Sequence, residues 1–125
     1  MGILKDKVEK SIEKKREIRE GQKKYADKCR DMLNIINALD KKASFESRRK
    51  VWSAEEIEGV AEEMAKQCEE LGVLYLEGEP ELLSVKGLKE KNEEIVALGK
   101  KVKEDVNGIF EIERLLEDAI ECIEK

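Results

Sequence analysis

Between Ser84 and Lys125 apolar residues recur every three or four positions: Leu88, Ile95, Leu98, Val102, Val106, Ile109, Ile112, Leu116, Ala119 and Ile123, with Asn92 in the same register. That period follows the 3.6-residue helical turn, so these side chains fall along one side of a helix. Glu and Lys occupy most of the other positions. A stripe this long must be covered by other helices, and that requirement restricts the chain to an all-α architecture.

The rest of the chain is built the same way. Charged residues make up 44% and hydrophobic residues 40% of 125, with a single proline, which is the composition of long amphipathic helices. The helical spacing of the apolar residues separates it from a disordered chain of similar charge. The length is that of one domain, residues 1–125.

Residues 3–40 read as one long helix with Leu4, Val8, Ile12, Ile18, Tyr25, Cys29, Met32, Ile36 and Leu39 as its stripe. The stripe is thin before Gly21 and dense after it, so the second half is expected to be anchored. Residues 41–52 break the period and read as a loop. Ser53 then begins a second, shorter helix: it can cap, Glu56 three residues on completes a capping box, and Trp52 can staple onto Ile57. The stripe Ile57, Ala61, Met64, Cys68 and Leu71 follows, and Gly72 reads as its stop. Residues 73–83 read as an apolar connector, with Pro80 in the first turn of the last helix. The alternative is a small hairpin of Val73–Leu76 with Leu82–Val85.

Asn107-Gly108 is a turn signal inside the last stripe. Because the stripe keeps its phase across the pair, the expectation is one helix of about forty residues; the alternative is two helices and a four-helix bundle. The fold expected is therefore an antiparallel, coiled-coil-like helical bundle. It has long N- and C-terminal helices and a shorter middle helix.

Charge is unevenly placed. Residues 1–52 hold 16 basic and 9 acidic side chains, so 16 − 9 = +7; residues 53–125 hold 9 and 21, so 9 − 21 = −12. This suits a basic first helix lying against acidic later ones. It also suits a basic arm meeting an anionic partner. Lys41, Lys42, Arg48, Arg49 and Lys50, near Phe45 and Trp52, form the best anion-binding candidate. They carry the alternative reading of a nucleic-acid-associated protein.

Catalytic patterns are thin. Glu58 with Glu62, and Glu117 with Glu121, stand four apart, as in helical bundles that hold Mg²⁺ or a di-iron centre. This motivates a second alternative, a metal-dependent nucleotide hydrolase. Both pairs lie off the apolar stripes, and the chain has no histidine, so no metal, cofactor or catalytic residue is expected. Cys29, Cys68 and Cys122 fall on or beside the stripes and read as reduced thiols. The start MGILKDKVEK has no apolar signal region, and no apolar run is long enough to span a membrane. A cytoplasmic location is expected.

A helix of about twenty residues covers about 30 Å, half of a forty-residue neighbour. The uncovered stripe, represented by Val8, Ile12, Ile109, Leu116 and Ile123, is expected to meet a second copy or another helical protein. The function expected is non-enzymatic, structural or adaptor, through helix–helix contacts.

Overall fold

The structure, a computed structural model, describes residues 2–46 and 53–125, without the side chains of 2–4, 6, 39–46 and 80. All regular structure among the described residues is helical: α1 Gly2–Glu46, α2 Ala54–Glu77, α3 Glu79–Leu82, α4 Leu88–Lys101 and α5 Gly108–Glu124. The four longer helices form a ring in which α1 packs on α2 and α5, and α4 closes it against the same two. Short α3 sits in the corner where α1 and α2 meet.

Four boundaries differ from the sequence reading. The first helix does not stop at residue 40 but runs to Glu46, taking Lys41 to Glu46 into regular structure. These residues include good helix formers and no proline, so the loss of apolar period does not end the helix. The second helix does not stop at Gly72 but continues to Glu77, where the Gly78 amide donates to the Leu74 carbonyl. Gly72 instead faces Val96 of α4. Ser53 caps α2 as its chemistry requires, its hydroxyl accepting from the Glu56 amide at 3.2 Å. The Trp52 staple lies outside the described residues.

The connector is not a hairpin. Pro80 lies in the first turn of α3 rather than of the last helix, and residues 83–87 turn into α4. Gly87, with φ of +84°, makes that turn in the left-handed region that favours glycine.

The fourth difference is the largest. The last stripe is two helices, broken at residues 102–107. The Asn107 amide bonds the Asp105 carboxylate at 3.2 Å, and the Gly108 amide bonds the Asp105 carbonyl at 3.0 Å. Val102 and Ile109 are both buried while Val106 between them is exposed, so the stripe lapses at the reversal and resumes in the same core. The four-helix alternative is the observed one. α4 and α5 lie antiparallel, and the stripe they share is core.

The core gathers Tyr25, Cys29, Met32 and Ile36 of α1 with Met64, Cys68 and Leu71 of α2, Ile95 of α4, and Ile112 and Leu116 of α5. Burying each large side chain contributes roughly 1.5–3 kcal/mol before entropy is charged against it. α1 is about 68 Å long against about 36 Å for α2, at 1.5 Å per residue. Tyr25 meets Tyr75 near the end of α2. The part of α1 before Gly21 therefore passes beyond the end of α2 as an arm.

Candidate functional site

Two surfaces and one buried cluster stand out. The first surface is the arm. From Lys7 to Glu17 every residue is exposed, Val8 and Ile12 at 56% and 55%. At 3.6 residues per turn, Lys5, Lys15, Arg16, Arg19 and Lys23 fall within about 60° of the direction shared by Val8 and Ile12. Glu9, Glu13, Glu17 and Glu20 fall outside that sector. The arm thus carries a narrow apolar line with basic flanks, its acidic residues turned to the side and back.

The second surface is a groove of about 860 Å³ between α2 and α4. Its walls approach closely because small residues meet there. A Cβ on Gly99 would lie 2.4 Å from the Cys68 Cβ, and one on Gly72 would lie 2.8 Å from a Val96 methyl. Val73 and Leu76 stand on one lip, 50% and 67% exposed. Glu93 flanks that end, Glu69 stands midway along the α2 wall level with Gly99 and Lys100, and Glu62, Lys66 and Lys103 line the far end.

The buried cluster joins three helices. The Tyr25 hydroxyl donates to Asn92 Oδ1 at 2.8 Å, and its ring meets that of Tyr75 edge-on, centroids 6.1 Å apart. Burial pushes both phenols above their ordinary range. Burial likewise pushes the Cys29 and Cys68 thiols up to about 12, so both are protonated, inert groups of the core. At the α1–α2 seam Lys28 binds Gln67 and, at 2.7 Å, Glu70, whose carboxyl this bond holds below its ordinary value. Arg30 pairs with Glu124 to tie α1 to α5.

The expected partner-binding residues separate. Val8 and Ile12 are open on the arm. Ile109 and Leu116 are buried in the chain's own core, and Ile123 is half-buried against it. The reversal at residues 102–107 supplies cover that a continuous helix would have lacked. Lys41 and Lys42 extend α1, with side chains outside the description, and Arg48, Arg49 and Lys50 lie outside the described residues altogether. The anion-binding segment therefore falls outside what the structure describes.

Glu58, Glu62, Glu117 and Glu121 are exposed, and among the described residues no group of three or more Cys, Asp or Glu side chains is placed to hold a metal ion. No described helix is long and apolar enough to cross a membrane. The groove and the buried tyrosine–asparagine bond were missed in the sequence. Asn92 inside an apolar stripe was the available signal for the bond, and the small residues Gly72 and Gly99 were the signal for the close approach.

No family model matches this chain, and neither the curated proteins nor the solved structures contain a significantly similar one.

Proposed function

We infer that this protein is a non-enzymatic structural or adaptor protein that self-associates through helix–helix contacts, using the arm of α1. The observation that carries this reading is the pair Val8 and Ile12, more than half exposed on a helix that has left its own bundle. A lone helix of this length is marginal in water, because its hydrogen-bonded turns gain little without a packed face. A second helical surface would cover the two residues and hold the arm helical. The free thiols fit a reducing, cytoplasmic setting.

Sedimentation velocity across a concentration series tests the reading. The intact chain is expected to dimerise or form a higher oligomer, and Val8→Asp with Ile12→Asp is expected to return it to monomer with unchanged helicity. A chain that stays monomeric at the highest concentration reached overturns it.

A further inference from the structure

We propose that the α2/α4 groove binds an uncharged, mainly apolar small molecule, and that a hydrogen-bond acceptor of that molecule sits on Asn92 Nδ2. The site is separate from the arm, so it does not depend on the self-association proposed above.

The first observation is the register of the two helices. Gly72 meets Val96 and Gly99 meets Cys68, so α2 and α4 run antiparallel. Asn92, one turn before Val96, therefore comes level with Leu76, one turn after Gly72. Gly72 has no side chain, and Val96 closes the groove against it. Val73 and Leu76 stand open on the α2 lip at the same end.

The second is the amide of Asn92. Only 7% of this residue is exposed, yet it lines the groove. Its Oδ1 is taken by the Tyr25 hydroxyl on the core side. No described group accepts from its Nδ2. Among the described residues the Tyr75 hydroxyl is the one side-chain polar atom both sealed from solvent and unpartnered, so Nδ2 is reached from outside. The opening that Asn92 lines is this groove. Tyr25 thus holds the amide with its oxygen inward and its donor outward. A donor fixed in advance by a buried bond costs an incoming ligand little ordering.

The third is charge. Lys66, Lys100 and Lys103 share the lining with Glu62, Glu69 and Glu93, three against three. Such a lining selects neither an anion nor a cation. Glu93, next to Asn92 in the chain and also on the groove, would repel a carboxylate or phosphate held on Nδ2. The acceptor is therefore a neutral atom, such as a carbonyl or ether oxygen or a ring nitrogen. The apolar body lies over Val96, beside Val73 and Leu76. One placed donor among apolar side chains is the usual make-up of a small-molecule site. The volume of about 860 Å³ lies within the range of about 300–1,000 Å³ for such sites.

Nile red tests the proposal, being uncharged, largely apolar and equipped with a carbonyl acceptor. Its fluorescence should rise on the intact chain and saturate at one dye per chain. The anionic dye 1-anilinonaphthalene-8-sulfonate should bind at least roughly tenfold more weakly. Ala97→Trp, at an exposed position of the groove wall, should abolish Nile red binding with unchanged circular dichroism. Tyr25→Phe with Asn92→Leu replaces both partners of the buried bond, so the bundle should hold. That double variant should bind about tenfold more weakly than Tyr25→Phe alone. Emission from the dye it still binds should move to shorter wavelength, because the carbonyl has lost its donor. Val8→Asp with Ile12→Asp should bind as the intact chain does.

If the intact chain leaves the dye dark, or Ala97→Trp binds it unchanged, the groove is not a ligand site. If the double variant binds as tightly as Tyr25→Phe alone, apolar area attracts the dye and the role of Asn92 falls. Tighter binding of the anionic dye overturns the neutral class. Loss of binding in the arm variant places the dye on the arm or between copies, which overturns the site and leaves self-association standing.

Discussion

The Tyr25 hydroxyl donates to Asn92 Oδ1 across 2.8 Å inside the bundle, joining α1 to α4 across its diagonal. No described group hydrogen-bonds the buried hydroxyl of Tyr75. The same substitution should therefore act differently at the two tyrosines. Tyr25→Phe leaves the Asn92 oxygen buried without its donor, at a cost of about 1–3 kcal/mol. Tyr75→Phe removes a hydroxyl whose desolvation is uncompensated, and stability should hold or rise by up to about 1 kcal/mol. Urea denaturation of the two variants checks this; equal losses would show that Tyr75 has a partner in solution.

Two glycines of the bundle invite a similar contrast. Gly99→Ala would press a Cβ to 2.4 Å from that of Cys68, forcing α2 and α4 apart. Overpacking of this kind costs about 1–3 kcal/mol. Gly59, exposed in the first half of α2, has nothing within 4 Å of an added Cβ. Alanine there should stabilise by about 0.5–1 kcal/mol through better helix propensity and a less free unfolded chain. Thermal melts of both variants should move in opposite directions.

Alkaline pH should unfold the bundle from within. Burial pushes Cys29 and Cys68 from 9.0 to about 12, and the neighbouring Cys68 raises Cys29 further against the pull of Arg30. Folded values lie above unfolded ones, so this contribution is whole below pH 9.0 and is lost as pH climbs toward about 12. In that window the unfolded chain releases a proton that the folded chain keeps, and each thiol lowers stability by about 1.4 kcal/mol per pH unit. Cys68→Ala should show a shallower decline in its denaturation midpoint above pH 9.0 than the parent chain. At neutral pH a thiol reagent should modify half-buried Cys122 readily and the other two only on unfolding. Rapid modification of all three in the folded protein would contradict their burial.

The helical character of the chain was legible because its apolar residues keep the helical period wherever they are buried: Tyr25, Cys29, Met32 and Ile36, then Ala61, Met64, Cys68 and Leu71. The cap at Ser53 was legible for the same local reason. The reversal before Gly108 was not, because phase is a one-dimensional property. Val102 and Ile109 point to one core whether the chain between them runs straight or turns back. Asn107-Gly108 and the polar run Lys103 to Asp105 were the visible signs of the turn, and periodicity outweighed them. Gly72 was misread because a glycine that ends a helix and one that lets two helices touch look alike until the second helix is placed. Of the proposed surface, Val8 and Ile12 could be read from their poor surroundings in the first stripe. The groove could not, since it needs α4 to stand beside α2.

The Arg30–Glu124 pair spans 94 residues, and its consequence concerns synthesis. Tyr25, Cys29, Met32 and Ile36 emerge from the ribosome long before α5, which forms one of their two covers. At roughly 5–20 residues per second the wait lasts several seconds or more. During it a nascent hairpin of α1 and α2 presents an open apolar flank. Closure of the bundle is a late, long-range event, so the helix made last governs how soon the one made first is safe from aggregation.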